Sequence, residues 1–194
     1  MQNSNNFRVP ISYNAIRADS EALGFDMPSE ASVGALLRML AASKPFANCL
    51  ELGTGTGLAA CWLLEGLGVH GHLTTVDNDE QLLSIARQHL SNDARLKIIC
   101  QDGDDFLREA VWNKERYDLI FADTWSGKYR MLDEALSLLL PGGLYVIDDM
   151  LPQPNWPDGH AEKVETLLHT LHTRPNWHVT QLDWASGVVI AVKA

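Results

Sequence analysis

The sequence predicts an α/β fold in which a doubly wound, mostly parallel sheet ends in an antiparallel hairpin. The chain has 194 residues, of which 46% are hydrophobic and 21% are charged, as in one globular domain. From about residue 47 onward, short apolar runs alternate with apolar residues at helical spacing, which favours a parallel sheet covered by helices. Only a few residues separate the last two apolar runs, so these two strands must pair antiparallel.

The chain divides into three predicted parts, which are a flexible polar tail at 1–10, helices at 11–46 and the sheet-containing core at 47–194. The first six residues lack the basic and apolar segments of a signal peptide. In the second part, apolar residues recur at helical spacing from Val33 to Leu40, and Pro45 ends this helix.

The core begins with five predicted strands that alternate with helices. The strands are Asn48–Leu52, Leu73–Val76, Leu96–Cys100, Tyr117–Ala122 and Leu144–Ile147. The helices between them are Leu58–Leu67, one capped by Asp79 and continuing to Leu90, Phe106–Val111, and a stripe of Leu132, Ala135, Leu136 and Leu139. A helix at Ala161–Thr173 then leads to the hairpin strands Trp177–Leu182 and Gly187–Lys193.

Acidic residues dominate the middle of the chain. The formal net charge is -10, and residues 48–150 contain 17 acidic and 8 basic side chains. A negative surface repels phosphate backbones, which argues against nucleic acid as a partner, whereas it suits small cationic molecules or metal ions. The three cysteines favour a reducing compartment, and no run of about 18 apolar residues is available to span a membrane. We therefore expect a cytoplasmic protein.

A glycine-rich segment, Glu51–Gly57, lies between the first predicted strand and the helix that follows it. Its glycines allow the backbone to approach a ligand closely. The third glycine comes one residue too early for a dinucleotide-binding turn, no phosphate-binding lysine follows, and Glu51 would repel a phosphate. We predict a site for a ligand that carries an amine, formed by Glu51, Gly53, Thr54, Gly55 and Gly57.

Further acidic positions follow the second and third predicted strands. Asp77 ends the second strand about 20 residues after the glycines, where a carboxylate accepts hydrogen bonds from both hydroxyls of a ribose, and Asn78 lies beside it. Gly103, Asp104 and Asp105 follow the third strand, where Asp104 is placed to accept the amine of an adenine. Aspartates are also common in turns and helix caps, so a structural role for this group stays open.

The segments Glu51–Gly57, Asp77, Gly103-Asp104 and Asp118–Asp123 together resemble class I S-adenosylmethionine-dependent methyltransferases. The closer similarity is to the cation-dependent, catechol-type O-methyltransferases and their bacterial relatives. They share Met27-Pro28-Ser29, Asp123-Thr124-Trp125 followed by Tyr129, the Pro-Gly-Gly turn and the paired positions Asp148-Asp149. The resemblance covers about residues 25–194, and it implies a Rossmann-like sheet of seven strands, S-adenosylmethionine as methyl donor and a homodimer.

Three carboxylates end the fourth and fifth predicted strands, namely Asp123, Asp148 and Asp149. The ends of these strands converge on one crevice, and close carboxylates repel each other unless one is protonated or a cation bridges them. Oxygen ligands of this kind suit Mg²⁺ or another divalent cation, which matches the metal site that the resemblance implies. Asp123 is also a candidate catalytic and cofactor-binding residue. A role as polar strand ends without a metal stays open.

One departure from the resemblance concerns Ser126, because the matching position in catechol-type enzymes is the lysine general base. Lys128 lies two residues further along and is the remaining candidate for a catalytic lysine. We expect Lys128 to begin a helix and to point away from the crevice. Deprotonation would then depend on the metal, on Asp149 or on an acceptor that is already acidic.

Aromatic residues fall in the loops that follow the fourth and fifth predicted strands. Trp125, Tyr129 and Trp156 would line a pocket for a flat acceptor, although packing in the core is an equal alternative. His160, in the same loop as Trp156, is the histidine closest to the predicted site.

The sequence thus predicts a transferase of the EC 2.1.1 class that methylates a hydroxyl of a small aromatic or polar molecule. Three alternatives stay open. One is O-methylation of a hydroxylated tRNA uridine, which the net charge of -10 argues against. Another is a non-catalytic protein that binds S-adenosylmethionine or S-adenosylhomocysteine, an interpretation that Ser126 keeps open. The weakest is an NAD-dependent oxidoreductase, because the glycine spacing disfavours it.

Overall fold

The computed structural model describes residues 8–153 and 156–194, so residues 1–7 of the predicted tail lie outside the described residues. Within these ranges the chain forms seven helices and seven strands. The helices are α1 (Tyr13–Leu23), α2 (Ala31–Ala42), α3 (Leu58–Gly66), α4 (Glu80–Leu90), α5 (Gly103–Trp112), α6 (Leu132–Ser137) and α7 (His160–Thr173). The strands are β1 (Asn48–Leu52), β2 (His72–Asp77), β3 (Leu96–Cys100), β4 (Tyr117–Ala122), β5 (Leu139–Ile147), β6 (Trp177–Leu182) and β7 (Val188–Lys193).

The seven strands of the described residues belong to one sheet with the order β3-β2-β1-β4-β5-β7-β6. Neighbouring strands from β1 to β5 pair in parallel, whereas β7 pairs antiparallel with both β5 and β6. The predicted doubly wound sheet with its antiparallel hairpin is therefore confirmed. The central strands β1 and β4 are almost entirely buried, because helices cover both faces of a sheet of this kind.

The strand order reverses at β1. From β1 the chain runs outward through β2 and β3, and it then returns to the other side of β1 to form β4 and β5. In open α/β sheets a crevice forms at the carboxyl ends of the strands at such a reversal, since the two neighbouring connections leave in opposite directions. The turn after β1 and the loops after β2, β4 and β5 therefore surround one crevice.

Helices α1 and α2 pack against α3 and fix the segment between them beside this crevice. A Cβ atom on Gly34 would lie 2.3 Å from the Trp62 ring, and one on Gly66 would lie 2.2 Å from the carbonyl oxygen of Arg38, so the α2 and α3 backbones are in close contact. Tyr13 of α1 packs edge-on against Trp62 with ring centroids 5.7 Å apart. The chain between α1 and α2 is thereby held over the glycine turn.

Helix α5 begins three residues before its predicted start at Phe106. The Asp102 carboxylate accepts hydrogen bonds from the N–H groups of Asp104 at 2.9 Å and Asp105 at 3.3 Å, and so caps the helix at Gly103.

The predicted helical stripe from Leu132 is wrong at its end, because Leu139 is the first residue of β5. Leu139 pairs with Tyr117, after which the register shifts so that Leu144 faces Leu119, and the Pro-Gly-Gly turn lies in this irregularity. Among the described residues, no helix has the length and apolar character needed to cross a bilayer.

Candidate functional site

The turn after β1 has a backbone conformation that favours glycine. Gly53, Gly55 and Gly57 have φ values of +94°, +51° and +93°, a region in which other residues are strained. A Cβ atom on Gly53 would also lie 2.7 Å from the carbonyl oxygen of Asp123, so the turn lies directly against the end of β4. The N–H group of Gly53 donates to the carbonyl oxygen of Val76 at 2.9 Å, which joins the turn to β2.

A cavity of about 330 Å³ opens beside this turn. Asp77 contributes to its wall, and the Asp77 carboxylate accepts hydrogen bonds from the N–H groups of Gly55 at 2.8 Å and Asp79 at 3.0 Å. A carboxylate has about four acceptor positions, so Asp77 retains capacity for the two hydroxyls of a ribose. The predicted residues that line this cavity are Gly53, Thr54, Gly55, Asp77, Asn78 and Asp123.

Glu51 lies behind the cavity wall rather than on it. Its side chain is fully buried, with Oε2 accepting a hydrogen bond from Thr75 Oγ1 at 2.5 Å. Oε1 has no hydrogen-bond partner among the described residues. Burial, with smaller contributions from the charges of Asp123 and Asp77, raises the pKa of Glu51 to about 8 against the opposing Thr75 hydrogen bond. An unpartnered buried oxygen is costly, so a cationic amine close to Glu51 would be stabilised there.

The predicted adenine contacts are arranged differently from the expectation. Asp104 Oδ1 accepts a hydrogen bond from Ser126 Oγ at 2.6 Å, and Asp104 Oδ2 forms an ion pair with Arg130 Nε at 3.1 Å, so both of its oxygens are engaged by the protein. Asp105 pairs with Arg108 on the exposed side of α5. A small cavity of about 50 Å³ lies here, lined by Asn78, Asp102, Gly103 and Ser126 among others, but not by Asp104 or Asp105. The contact of the Asp104 and Asp105 carboxylates with the cofactor therefore stays a prediction.

Ser126 faces this donor side of the crevice and not the carboxylates at the ends of β4 and β5. A Cβ atom on Gly103 would lie 2.6 Å from Ser126 Cβ, and Ser126 is almost fully buried. The position at which the resemblance expects a lysine therefore packs against the start of α5.

A second cavity, of about 390 Å³, lies on the other side of the Gly53 turn. It is bounded by the segment before α2 and by the loops that follow β4, β5 and the β6–β7 hairpin. It shares Met27, Pro28, Ser29, Asp123, Thr124 and Asp149 with the first cavity. The two cavities are therefore adjacent compartments of one crevice.

The three predicted carboxylates converge on this second cavity. Asp123 accepts a hydrogen bond from Ser29 Oγ at 2.9 Å. Asp148 Oδ1 accepts from Ser186 Oγ and from the N–H group of Asp149, the latter at 2.8 Å. Burial raises the pKa of Asp123 and of Asp148, and the negative charges of the neighbouring aspartates act in the same direction. The positive charge of Lys128 opposes both shifts.

Lys128 points into the crevice, so the expected outward orientation is wrong. Residues 125–130 form a tight turn in which the N–H groups of Lys128, Tyr129 and Arg130 donate to the carbonyl oxygen of Trp125, and α6 begins only at Leu132. This turn directs the Lys128 side chain inward. Its Nζ atom donates to the carbonyl oxygen of Asp148 at 2.8 Å, lies 3.7 Å from Asp123 Oδ1, and belongs to a side chain that is 5% exposed.

Aromatic rings form the wall of the second cavity opposite these carboxylates. Trp125, Tyr129 and Trp156 surround the His160 ring, with centroids 6.0, 5.1 and 4.5 Å away. Tyr129 Oη and His160 Nε2 are 3.1 Å apart, and His160 Nδ1 has no partner among the described residues. Burial, followed by the charge of Lys128, lowers the pKa of His160. The predicted aromatic pocket is therefore assembled around a histidine that is held neutral.

The predicted metal site does not fit the arrangement of these groups. In residues 8–153 and 156–194, no cluster of three or more His, Cys, Asp or Glu side chains is arranged to hold an ion. The Lys128 ammonium lies against Asp123, while Ser29 and Ser186 donate to Asp123 and Asp148. The residues around the glycine turn do fit the methyl donor S-adenosylmethionine. The turn at Gly53 lets the backbone approach the ligand, Asp77 has acceptor capacity for the ribose hydroxyls, and the unpartnered Glu51 oxygen suits a nearby amine.

Comparison with known sequences identifies the family. The family described as "Methyltransferase domain" matches residues 50–150, which include the glycine turn, Asp77, Asp123 and the pair Asp148-Asp149. The chain belongs to the methyltransferase domain family. The predicted class I S-adenosylmethionine-dependent methyltransferase is confirmed at this level.

A curated relative of this methyltransferase domain comes from Mycolicibacterium vanbaalenii, and its name assigns it provisionally to the O-methyltransferases. It is 33% identical over 145 residues, which are 71% of this chain and 63% of the relative. A relative with the same kind of name from Mycobacterium leprae is 34% identical over 58% of this chain and 53% of its own length. The chain therefore spans less than two thirds of the curated relatives that it matches.

Two solved structures resemble the methyltransferase domain over nearly their whole length. An O-methyltransferase from Bacillus cereus, solved in complex with SAH, superposes with a TM-score of 0.84 over 94% of this chain and 90% of that chain at 22% identity. TomG, an O-methyltransferase from Streptomyces achromogenes involved in tomaymycin synthesis and solved with SAM, gives a TM-score of 0.83 over 98% and 93% of the chains at 21% identity. These likenesses confirm the fold.

The structure adds Ser29 and Ser186 to the predicted site, and it places His160, the histidine expected closest to that site, on the wall of the second cavity. Ser29 precedes α2 and Ser186 lies in the β6–β7 loop, so neither is near the carboxylates in the sequence. In the sequence, Ser29 was indicated only by the shared Met27-Pro28-Ser29 segment, and no motif indicated Ser186. The homodimer and the cytoplasmic location stay predictions.

Proposed function

We propose that this methyltransferase domain transfers a methyl group from S-adenosylmethionine to a hydroxyl oxygen of a small aromatic or polar molecule. The observation that supports this most directly is the pair of adjacent cavities, which meet at Asp123, Thr124 and Asp149. One cavity has the glycine turn and Asp77, and the other has an inward lysine, carboxylates and aromatic rings. A donor and an acceptor bound in the two compartments would meet at their common boundary.

The donor compartment would hold S-adenosylmethionine through the backbone of Gly53 and Gly55, the Asp77 carboxylate at the ribose, and Asn78 with Gly103 near the adenine. Glu51 stabilises the methionyl amine electrostatically from beneath the turn. When bound, the donor supplies a methyl carbon on a cationic sulfur, and the carbon–sulfur bond breaks with its electrons remaining on sulfur.

In the acceptor compartment, Lys128 and Asp123 are the proposed catalytic residues. The Lys128 ammonium attracts the negative charge that develops on the acceptor oxygen as the new carbon–oxygen bond forms. The Asp123 carboxylate, 3.7 Å from this ammonium, takes the hydroxyl proton. Positioning of the acceptor oxygen between these two groups converts an encounter in solution into an oriented reaction.

The aromatic wall favours a flat acceptor. Trp125, Tyr129 and Trp156 present ring faces and edges that a planar molecule can contact. His160 sits among them as a neutral hydrogen-bonding group held by Tyr129, which suits an acceptor with a second polar substituent. The volume of about 390 Å³ is in the range of pockets for small molecules.

A methyl-release assay with labelled S-adenosylmethionine tests this proposal. Phenols, hydroxy acids and tRNA are offered separately, and products are identified by mass spectrometry. We expect methylation of a phenolic hydroxyl and none of tRNA. Binding of S-adenosylhomocysteine without turnover on any acceptor class would instead support a non-catalytic binding protein, and methylated tRNA would support the nucleic-acid alternative.

A further inference from the structure

The Lys128 side chain places a positive charge among the oxygens at the ends of β4 and β5. Its Nζ atom lies 2.8 Å from the carbonyl oxygen of Asp148 and 3.7 Å from Asp123 Oδ1. The whole side chain is 5% exposed, so solvent screens this charge only weakly. An ammonium held in this way occupies a position between the ends of β4 and β5. The oxygen atoms around that position would otherwise be available to bind a metal ion.

Asp123 and Asp148 each have one carboxylate oxygen that already accepts from the protein. Ser29 Oγ donates to Asp123 Oδ2 at 2.9 Å. Ser186 Oγ and the N–H group of Asp149 both donate to Asp148 Oδ1. A divalent cation bound to these carboxylates would compete with those donors, and it would also need to displace or tolerate the positive charge of Lys128, which lies 3.7 Å from Asp123 Oδ1.

A bound donor would reduce the negative charge at the site without a metal ion. Asp123, Asp148 and Asp149 line the second cavity together with Asp26 and Glu30, and Lys128 supplies one positive charge there. Asp123 and Asp149 also line the donor cavity, where the proposed donor brings a cationic sulfur. Two basic residues of α7 lie near this region. Lys163 lies over the Trp125 ring, and the pKa of His160 is lowered, which favours its neutral form.

We propose that the Lys128 ammonium takes the place of the divalent cation in this site, so that it positions the acceptor and stabilises its oxygen without a metal. This inference rests on the proposed function for its catalytic part, whereas its structural part, the exclusion of a cation by Lys128, is independent of turnover. Removal of the ammonium leaves three carboxylates without their cation. The site then acquires affinity for divalent metal ions that the wild-type protein lacks.

Titration with Mn²⁺ tests the structural part directly. Wild-type protein, Lys128→Ala and Lys128→Met are saturated with S-adenosylhomocysteine and titrated by calorimetry, with thermal unfolding as the check that each variant is folded. We expect no saturable Mn²⁺ binding by the wild type. The folded Lys128 variants should bind Mn²⁺ saturably, with an affinity at least about tenfold above the weakest that the titration detects. Lys128→Met keeps the length of the side chain, so it remains informative if Lys128→Ala does not fold. Lys163→Ala, which removes a neighbouring lysine outside the carboxylate group, should bind no more Mn²⁺ than the wild type.

Two further arms decide between the outcomes. The double variant with Lys128→Ala and Asp149→Ala should lose the acquired Mn²⁺ affinity, which would locate the binding at this site. Methyl transfer by the wild type should be the same in EDTA as in Mg²⁺, and Lys128→Arg should retain part of the rate without binding Mn²⁺. Saturable Mn²⁺ binding by the wild type, absence of binding in both Lys128 variants, or loss of wild-type turnover in EDTA would each overturn the inference. If no acceptor is methylated at all, the proposed function fails while the Mn²⁺ titration still decides the place of Lys128.

Discussion

The donor half and the acceptor half of the crevice are built in different ways. In the donor half, the glycine turn and Asp77 lie directly at strand ends, and their key contacts are backbone N–H groups at 2.8–3.0 Å. In the acceptor half, Asp123 and Asp148 directly follow β4 and β5, whereas Lys128 and the aromatic rings come from loops further along the chain. The partners of the two carboxylates come from distant segments, as with Ser29 and Ser186.

This difference explains why a lysine two residues beyond the position that the resemblance implies can enter the acceptor half, whereas the glycine turn has one possible position. A turn fixed by positive φ values and by a 2.7 Å approach to Asp123 tolerates no displacement of Gly53. A loop only has to place a charged group near the carboxylates. The 125–130 turn places the Lys128 ammonium there, although Lys128 lies two residues beyond Ser126. We infer that backbone geometry specifies the donor half and charge placement specifies the acceptor half.

The largest expected effect is on kcat, and it distinguishes the role of Lys128 from that of Ser126. Lys128→Ala should lower kcat on a phenolic acceptor by roughly 100-fold or more, because it removes the charge at the acceptor oxygen. Ser126→Ala should raise KM for S-adenosylmethionine severalfold with little change in kcat, because Ser126 holds Asp104 on the donor side. Steady-state kinetics with both substrates varied gives this split, and Lys97→Ala on the exposed edge strand is the control. Equal loss of kcat in both variants would contradict the comparison.

The next largest effect concerns Asp77 in the donor half. Asp77→Ala removes a carboxylate that would accept two ribose hydroxyls, and each charge-assisted hydrogen bond contributes roughly 1.5–3 kcal/mol. We expect S-adenosylhomocysteine to bind at least about tenfold more weakly by calorimetry. Asp158→Ala, at an exposed position before α7, should bind the ligand as the wild type does. Unchanged affinity of Asp77→Ala would remove Asp77 from the site.

A pH-dependent effect distinguishes the buried Glu51 from exposed carboxylates. The pKa of Glu51 is about 8 in the folded chain against an ordinary value of 4.5, so between these pH values the folded state holds a proton that the unfolded state has lost. The resulting stability is fully present below pH 4.5 and is lost as the pH rises toward 8, with a slope of at most about 1.4 kcal/mol per pH unit.

Urea unfolding of the unliganded protein between pH 5 and 8 measures this slope. Glu51→Gln keeps the shape and removes the ionisation, so the fall in the free energy of unfolding with pH should become shallower. The part of the slope that comes from the raised pKa values of Asp123 and Asp148 should remain. Glu109→Gln, on the exposed face of α5, should retain the wild-type slope. The same slope in Glu51→Gln and the wild type would show that another group is responsible.

The smallest expected effect compares two glycines with similar backbone conformations. Gly53 and Gly142 have φ values of +94° and +73°, but a Cβ atom on Gly142 would meet nothing within 4 Å. Gly142→Ala should therefore cost only the left-handed backbone strain of about 1–2 kcal/mol. Gly53→Ala should cost about 1 kcal/mol more, because the methyl group also meets the Asp123 carbonyl. Equal values in urea unfolding would mean that the turn can move away from β4.

Much of the fold and of the donor site could be predicted from the sequence, because the relevant signals are local. The apolar runs gave the strands, and the position of Asp77 at the end of β2 followed from strand length alone. Asp104 and Asp105 show the limit of this reasoning. Their place after β3 was predicted correctly, yet Ser126, Arg130 and Arg108 engage their oxygens, and none of these partners is marked by a sequence motif.

The sequence by itself determined the order of strands and helices, the glycine turn and the acidic strand ends, since hydrophobic periodicity and glycine conformation act over a few residues. Only the tertiary structure decided that Lys128 and not Ser126 enters the acceptor compartment. The direction of a loop side chain depends on hydrogen bonds within the turn and on the packing of distant segments around it. The ammonium reaches Asp123 because the Trp125 carbonyl closes that turn and because β4 and β5 bring Asp123 and Asp148 together.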